Sequence, residues 1–496
     1  MLGGLRNLGC FFWKRKWKIA FVTASFATLV ALVAALATYH YHAAWNGYEK
    51  NARARGEKLT MPELALPPVP DDQNFAMTPL LKAFFASQGD KSQSSAQPHF
   101  HLSADVEMSE PTALAGYGYD GVAAKTVLQQ WTEYFQKTNA LEQLKKQEGN
   151  MAEISASLLR PYSRFPIDYN KKPAASILIP QVGALISLAK LYHMRCFAEL
   201  AAGKNSEAME DVLTLLRLSR AGRDEPFLIS KLTSISISGM SSILVWVGLA
   251  THCWNDGQLA ALQAEIEKSD MMPEFLRALE GERVFFCDTL LYNAQLSWWG
   301  RVSVFNNIFK SMTGKEPGVL MDAMAFLSAS RFAIYRALVI GNASYDSLFS
   351  AINVSGHQIN PVQVEEIKAA AKNLSKAIPG NGFLIEFLPN VCDCMSLVAR
   401  AQASLDHAEV ACALERYLLA KGAYPEKLDG LAPQFIPKLP HDLITGGPLH
   451  YQRTPDGLFV LYSIGWDGKD HGGDEGKSSE GEPLKDFNWA WKYSAQ

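Results

Sequence analysis

The sequence predicts a mainly α protein in three parts: an N-terminal transmembrane helix, an irregular helical bundle or short solenoid, and a C-terminal α+β domain. Three observations carry this expectation. One charge-free apolar run lies near the N-terminus, a 3.6-residue hydrophobic period extends from Gly121 to about Ala403, and strand-and-turn patterning takes over beyond Ser404. At 496 residues the chain exceeds one ordinary domain, and with 48% hydrophobic and 20% charged residues it can bury a sizeable core. Lys+Arg 47 against Asp+Glu 50 gives a net charge of -3, so no nucleic-acid partner is indicated. Seven scattered cysteines exclude a disulfide-dense scaffold and a four-cysteine zinc ribbon.

Residues 1–18 read as a cytoplasmic basic segment, with Trp13-Lys14-Arg15-Lys16-Trp17-Lys18 as its core. Residues 19–41 read as the membrane anchor: the run from Ile19 to Thr38 carries no charge, and twenty residues at about 1.5 Å rise span about 30 Å of bilayer hydrocarbon. Cations before the run keep the N-terminus cytoplasmic and export the rest, and Tyr39, Tyr41 and Trp45 form an aromatic belt at the far interface. A cleaved signal peptide is the competing reading, with Ala35-Leu36-Ala37 as its site; the long run and aromatic exit favour a retained anchor. A second charge-free stretch, Leu232 to His252, is diluted by serines and reads as a buried helix of a soluble domain.

Residues 42–120 read as a linker and loop region. Tyr48 to Leu64 is charged and helical, Pro67 to Asp72 a stiff extended linker, and Ser87 to Pro98 a solvated loop. His99 and His101 after it are two potential ligands, too few for a metal site. Residues 121–403 form the helical domain, with Val127, Leu128, Trp131, Tyr134 and Phe135 on one stripe and Leu185, Leu188, Leu191, Tyr192, Cys196 and Leu200 on another. Leu188 to Ser219 resembles one tetratricopeptide-type hairpin turning at Gly203, and Asn255 caps a helix over Gln258–Lys268. Trp298, Trp299, Phe305, Phe309 and Phe326 read as core, Cys392 and Cys394 as thiols on a helix face, and His193 and His357 as lone histidines with no partner spacing that would make them ligands or bases. No catalytic motif stands out in this region.

Residues 404–496 form the C-terminal domain: a helix from Leu405 to Lys421 stopped by Gly422 and Tyr424-Pro425, then a hairpin Leu449–Arg453 and Leu458–Tyr462 across the turn Thr454-Pro455-Asp456-Gly457. Beyond it, Asp467, Asp470, Asp474 and Glu475 lie in a glycine-rich loop. Carboxylates on a backbone free to wrap suit Ca²⁺; a solvated acidic loop is the plainer alternative.

Ala413-Leu414-Glu415-Arg416-Tyr417, Gly422-Ala423-Tyr424-Pro425, Leu439-Pro440-His441-Asp442 and Leu461-Tyr462-Ser463-Ile464-Gly465-Trp466-Asp467-Gly468 resemble the globular part of the major pseudopilin of type II secretion. That resemblance, covering residues 405–475, implies a calcium loop with Asp467 and Asp474 as side-chain ligands and Ile464 as a carbonyl ligand. No prepilin-peptidase site precedes Ile19 and about 360 residues separate anchor from module, so the chain does not read as a processed fibre subunit. The whole arrangement, with Pro68-Val69-Pro70-Asp71-Asp72-Gln73-Asn74-Phe75-Ala76 after the anchor, is similar to envelope proteins of planctomycete and verrucomicrobial bacteria. Together these imply a single-pass inner-membrane protein with a periplasmic body, acting without catalysis as an adaptor or accessory of a secretion or pilus-like machine. The competing expectation is an exported hydrolase whose site lies between helices.

Overall fold

The computed structural model describes residues 2–89, 123–313, 329–377, 387–476 and 487–493. In chain order the helices are α1 (Leu2–Ala54), α2 (Pro79–Gly89), α3 (Ala124–Lys137), α4 (Ala140–Ser157), α5 (Gln181–Ala201), α6 (Asn205–Ser219), α7 (Leu228–Ala250), α8 (Asp256–Ile266), α9 (Met271–Gln295), α10 (Trp298–Thr313) and α11 (Arg331–Ser350). Two short strands follow, β1 (Ile352–Asn353) and β2 (Gln358–Ile359), then α12 (Pro361–Ala377), α13 (Phe387–Lys421), β3 (His450–Arg453), β4 (Phe459–Ser463) and β5 (Trp489–Lys492). The protein is mainly helical and divides into two compact units.

The first unit comprises Met1–Glu63, Val284–Ser344 and Ala370–Leu388. Its α1 is long and apolar enough to cross a membrane, and none of its apolar window from Phe21 onward is buried. The helix does not stop at the end of that run. It continues to Ala54, and Trp45, which the sequence places in an interfacial belt, is instead 2% exposed in a core with Cys287, Leu290, Ala294, Ala329, Ile334 and Leu338. No proline or glycine interrupts the stretch between Thr38 and Trp45, so the chain leaves the apolar run still helical. Gly341 on α11 lets the Phe286 ring of α9 close in: a Cβ there would stand 2.4 Å from it.

The second unit comprises Leu64–Arg283, Tyr345–Ala369 and Pro389–Gln496. Helices α5, α6 and α7 pack on one another, with α3 against α5, where Trp131 stacks on Phe197 at 4.5 Å. The turn at Gly203 joins α5 to α6 as the sequence predicts. Although α7 is also apolar enough to span a bilayer, 78% of its window is buried, as the serine-rich composition leads one to expect. Asn255 caps α8 through a full capping box with Gln258, two residues upstream of the range read from the sequence.

Residues 64–89 are more ordered than a linker: Phe75, Ala76 and Leu81 are buried, and Asn74 fastens the segment to Arg164 through its side-chain amide. At the other end α13 passes through residue 404 unbroken, because Val391, Met395, Val398 and Ala399 extend its buried face upstream. The C-terminal residues share their core with the helical body instead of standing apart. Trp246 of α7 donates to the Lys492 carbonyl at 3.0 Å, Gln263 of α8 to that of Phe435 at 3.1 Å, and Arg416 pairs with Asp256 at 2.8 Å. Strands β3, β4 and β5 form an antiparallel sheet in that order, with Leu461 opposite Tyr451 on one side and Trp491 on the other. The β3–β4 hairpin closes on Gly457 at φ +85°, and β5 is a strand the sequence reading did not include.

Candidate functional site

Three features of the second unit can carry chemistry: the acidic loop after β4, a cavity beside it, and a histidine–glutamate centre at the end of α7. The loop starts from Asp442, wholly buried, whose Oδ1 accepts the backbone N–H groups of Ile444 and Thr445 at 2.8 Å each and whose Oδ2 accepts that of Ile464 at 2.6 Å. Ile464, implied as a carbonyl ligand, is thus fixed by its amide.

The carboxylates beyond it turn to separate partners. Asp467 Oδ1 accepts from the Lys469 N–H and its Oδ2 meets His471 Nε2 at 2.7 Å. Partial burial works against the charge of Asp467, but the bonds from His471 and Lys469 outweigh it and hold the carboxyl below its usual range. Asp470 accepts from the Gly472 N–H at 2.8 Å and the Tyr462 hydroxyl at 3.1 Å; the Gly472 bond foremost lowers its pKa. Asp474 accepts from the Gly476 N–H at 3.0 Å.

At the middle of the loop stands Asn488, 1% exposed. Its Oδ1 accepts the N–H groups of His471 and Gly473 at 2.8 and 3.1 Å, and its Nδ2 donates to the Lys469 carbonyl at 2.9 Å. Gly472 and Gly473, at φ +67° and +82°, give the left-handed turn that swings these amides inward. A cation needs converging oxygens, whereas this loop converges N–H groups on an amide oxygen. Asp467, Asp470 and Asp474 each bond a separate partner, and among the described residues no group of three or more His, Cys, Asp or Glu side chains is placed to hold a metal ion. His99 and His101 lie outside the described residues.

A cavity of about 470 Å³ opens between the β1–β2 hairpin, the start of α12 and this region, with Asn353, Gln358, Asn360, Thr445, Trp466 and Asp467 among its lining residues. Trp466 is braced by Glu365, whose Oε1 accepts its indole N–H at 3.0 Å. Amides, two hydroxyls and one carboxylate suit hydrogen bonding to a polar chain, and no histidine or cysteine lines the cavity.

The acid–base chemistry sits elsewhere. His252, in the left-handed conformation at φ +50°, places Nδ1 2.8 Å from Glu415 Oε2. Glu415 is 3% exposed, and its Oε1 accepts from the hydroxyls of Tyr424 and, at 3.4 Å, Tyr493. The Glu415 bond raises the His252 pKa against partial burial, and burial foremost raises both tyrosines. Sequence reading missed this centre because its members lie 163 residues apart. His357, which shows no partner spacing in sequence, stands 3.8 Å from Asp406 and 4.0 Å from Asp270, and the Asp406 carboxylate foremost raises its pKa. Cys392 and Cys394 do lie buried on α13, and burial pushes their thiols up to about 12 and about 11.

Of the aromatics read as core, Trp298 is half-buried but Trp299 is 72% exposed; Phe326 and the side chains of Phe305 and Phe309 lie outside the described residues. Two of the residues that carry the resemblance, Glu415 and Arg416, make internal contacts. Glu415 bonds Tyr424, and Arg416 holds Asp256, Gln263 and the Phe435 carbonyl. Comparisons with protein families, with curated proteins and with solved structures find no match for this chain.

Proposed function

We propose that this is a single-pass envelope protein of a bacterial inner membrane, with a periplasmic body that works by binding, as an adaptor or accessory of a secretion or pilus-like machine. One observation carries the membrane part. Phe21, Val22, Phe26, Leu29, Leu32, Val33 and Leu36 stand 56–73% exposed along one helix, a stripe that water would penalise and lipid would cover. Retention of the anchor is supported by Trp45 and Ala52, buried on the same helix, since the span and the folded unit are then one continuous rod. The binding part is supported by the amide-lined cavity, and the link to a secretion machine by the long helix followed by an antiparallel sheet in the pseudopilin-like region. The α5–α6 hairpin, similar to one tetratricopeptide unit, fits the same binding role.

The full-length protein should resist carbonate extraction, and protease added to spheroplasts should digest its body; a body protected from that protease would overturn the topology. Affinity capture from native membranes should recover a partner that is lost when Thr445→Trp fills the cavity, and equal recovery with that variant would overturn the binding site. A second reading, an exported hydrolase, draws on His252, whose Nδ1 is held by Glu415 as a general base is held by its orienting carboxylate. Turnover of ester or peptide substrates that disappears in His252→Ala would favour it over the adaptor.

A further inference from the structure

We propose that the first turn of α10, with Trp299 as its anchor, docks on the lipid surface around the α1 span, giving the first unit a second contact with the membrane. This docking rests on α1 being a membrane span and adds a site to it. Trp299 leaves 72% of its surface exposed, whereas Trp45, Trp246, Trp254, Trp466, Trp489 and Trp491 are all buried.

The start of α10 is fixed in place. Arg301, 7% exposed, donates to the carbonyls of Ala329 at 2.5 Å and Leu296 at 2.7 Å, and its guanidinium lies 5.5 Å from the Trp298 ring. Ala329 stands two residues before α11, whose first turns grip α1: Phe332 meets Tyr41 at 5.5 Å, the Arg336 guanidinium lies 6.0 Å from the Tyr41 ring, and Tyr335 meets His42 at 4.6 Å. Three residues from Ala329 to Phe332 reach at most about 10 Å. The tryptophan pair therefore lies at the end of this unit where α1 carries Tyr41, just past the charge-free run that ends at Thr38.

Tyr39, 75% exposed, stands on α1 at the same end. Indole and phenol rings favour this level of a bilayer, with the ring at the acyl boundary and the polar atom among headgroups. Over its whole length α10 carries no acidic residue to repel an anionic lipid surface. The exposed indole and the exposed apolar run thus lie toward the same end of α1, and lipid is the occupant proposed to cover both.

The test uses the full chain in nanodiscs of mixed neutral and anionic phospholipid, with p-benzoyl-phenylalanine placed singly at positions 36, 299 or 419. Leu36 lies within the span, and Leu419, 55% exposed near the end of α13, is the control for non-specific capture. Illumination should give lipid adducts at 36 and 299, several-fold above those at 419. Adducts at 36 with none at 299, a protein adduct at 299, or equal yields at 299 and 419 would overturn the docking and leave the span standing. Failure at 36 would overturn the span and the docking with it.

Discussion

Asp442 is the residue whose loss should disturb the C-terminal module most. Its carboxylate is wholly buried and accepts three backbone N–H groups, two from the segment that rims the cavity and one from Ile464 at the end of β4. In Asp442→Ala the buried Ile464 amide is orphaned, at about 1–3 kcal/mol, and the amides of the more exposed Ile444 and Thr445 lose bonds to a charged acceptor that water replaces in part. A total loss of about 3–4 kcal/mol follows. Asp442→Asn keeps one oxygen for Ile444 and Thr445 but presents an NH₂ to the Ile464 N–H, so it should lose about 1–3 kcal/mol. Urea unfolding of the full chain in detergent, followed by tryptophan fluorescence, reads these as midpoint shifts at unchanged slope, with Ala further displaced than Asn. Amide hydrogen exchange should localise the opening to Ile464 and β5. If both variants unfold within about 0.5 kcal/mol of wild type, the carboxylate does not organise this junction and the reasoning fails.

Gly281→Ala puts a Cβ 1.6 Å from the Pro226 carbonyl oxygen, so despite the helix propensity gained it should cost at least about 2 kcal/mol; a thermal midpoint equal to wild type would show that the helix slides freely. His252 has its pKa raised by Glu415, so its stabilising contribution is fully present below about pH 6.5, the unfolded value, and is lost as pH rises through the folded one. Imidazole NMR titration should place His252 above 6.5 in wild type and lower in Glu415→Gln, and identical titrations would refute the pairing. Asn488→Ala should speed exchange of the His471 and Gly473 amides, and wild-type melting should be the same in chelator and in calcium; a rise with calcium would return Asp467 and Asp474 to the role of ligands.

The helical class, the apolar N-terminal run, the α5–α6 turn, the Asn255 cap and the β3–β4 hairpin were legible because each is written within a few residues, as periodicity, a cap or a turn. The ends of long helices were not. Asn46-Gly47 within α1 and Pro389 near the start of α13 are local stop signals that these helices override; burial by distant segments decides where each helix ends. The proposed boundary at 404 fell inside α13 for that reason: the change in composition marks where strands begin downstream, while the helix answers to partners such as Met271, whose N–H is accepted by Gln402. Trp299 shows the same limit from the other side, since a tryptophan beside apolar neighbours gives no local sign of whether protein or solvent will cover it.

The acidic loop shows what residue type alone leaves open about a site. Counting oxygens in Asp467, Asp470 and Asp474 treats a loop as a bag of donors, but a cation responds to which backbone groups point inward. That is fixed by φ at Gly472 and Gly473 and by what enters from β5, where Asn488 brings one acceptor and one donor to the centre. The same glycines that would let a chain wrap around calcium also let it wrap around an amide, so their presence cannot choose between the two. What the loop wraps in this structure is Asn488, in the segment just before β5 and beyond the run that resembles a calcium loop. The half-buried His252 follows the same logic: its carboxylate partner arrives from α13, and Tyr424 and Tyr493 complete the centre from two further segments. Chemistry here is assembled by packing α7, α13 and β5 together, and only the positions that close tight turns announce themselves in sequence.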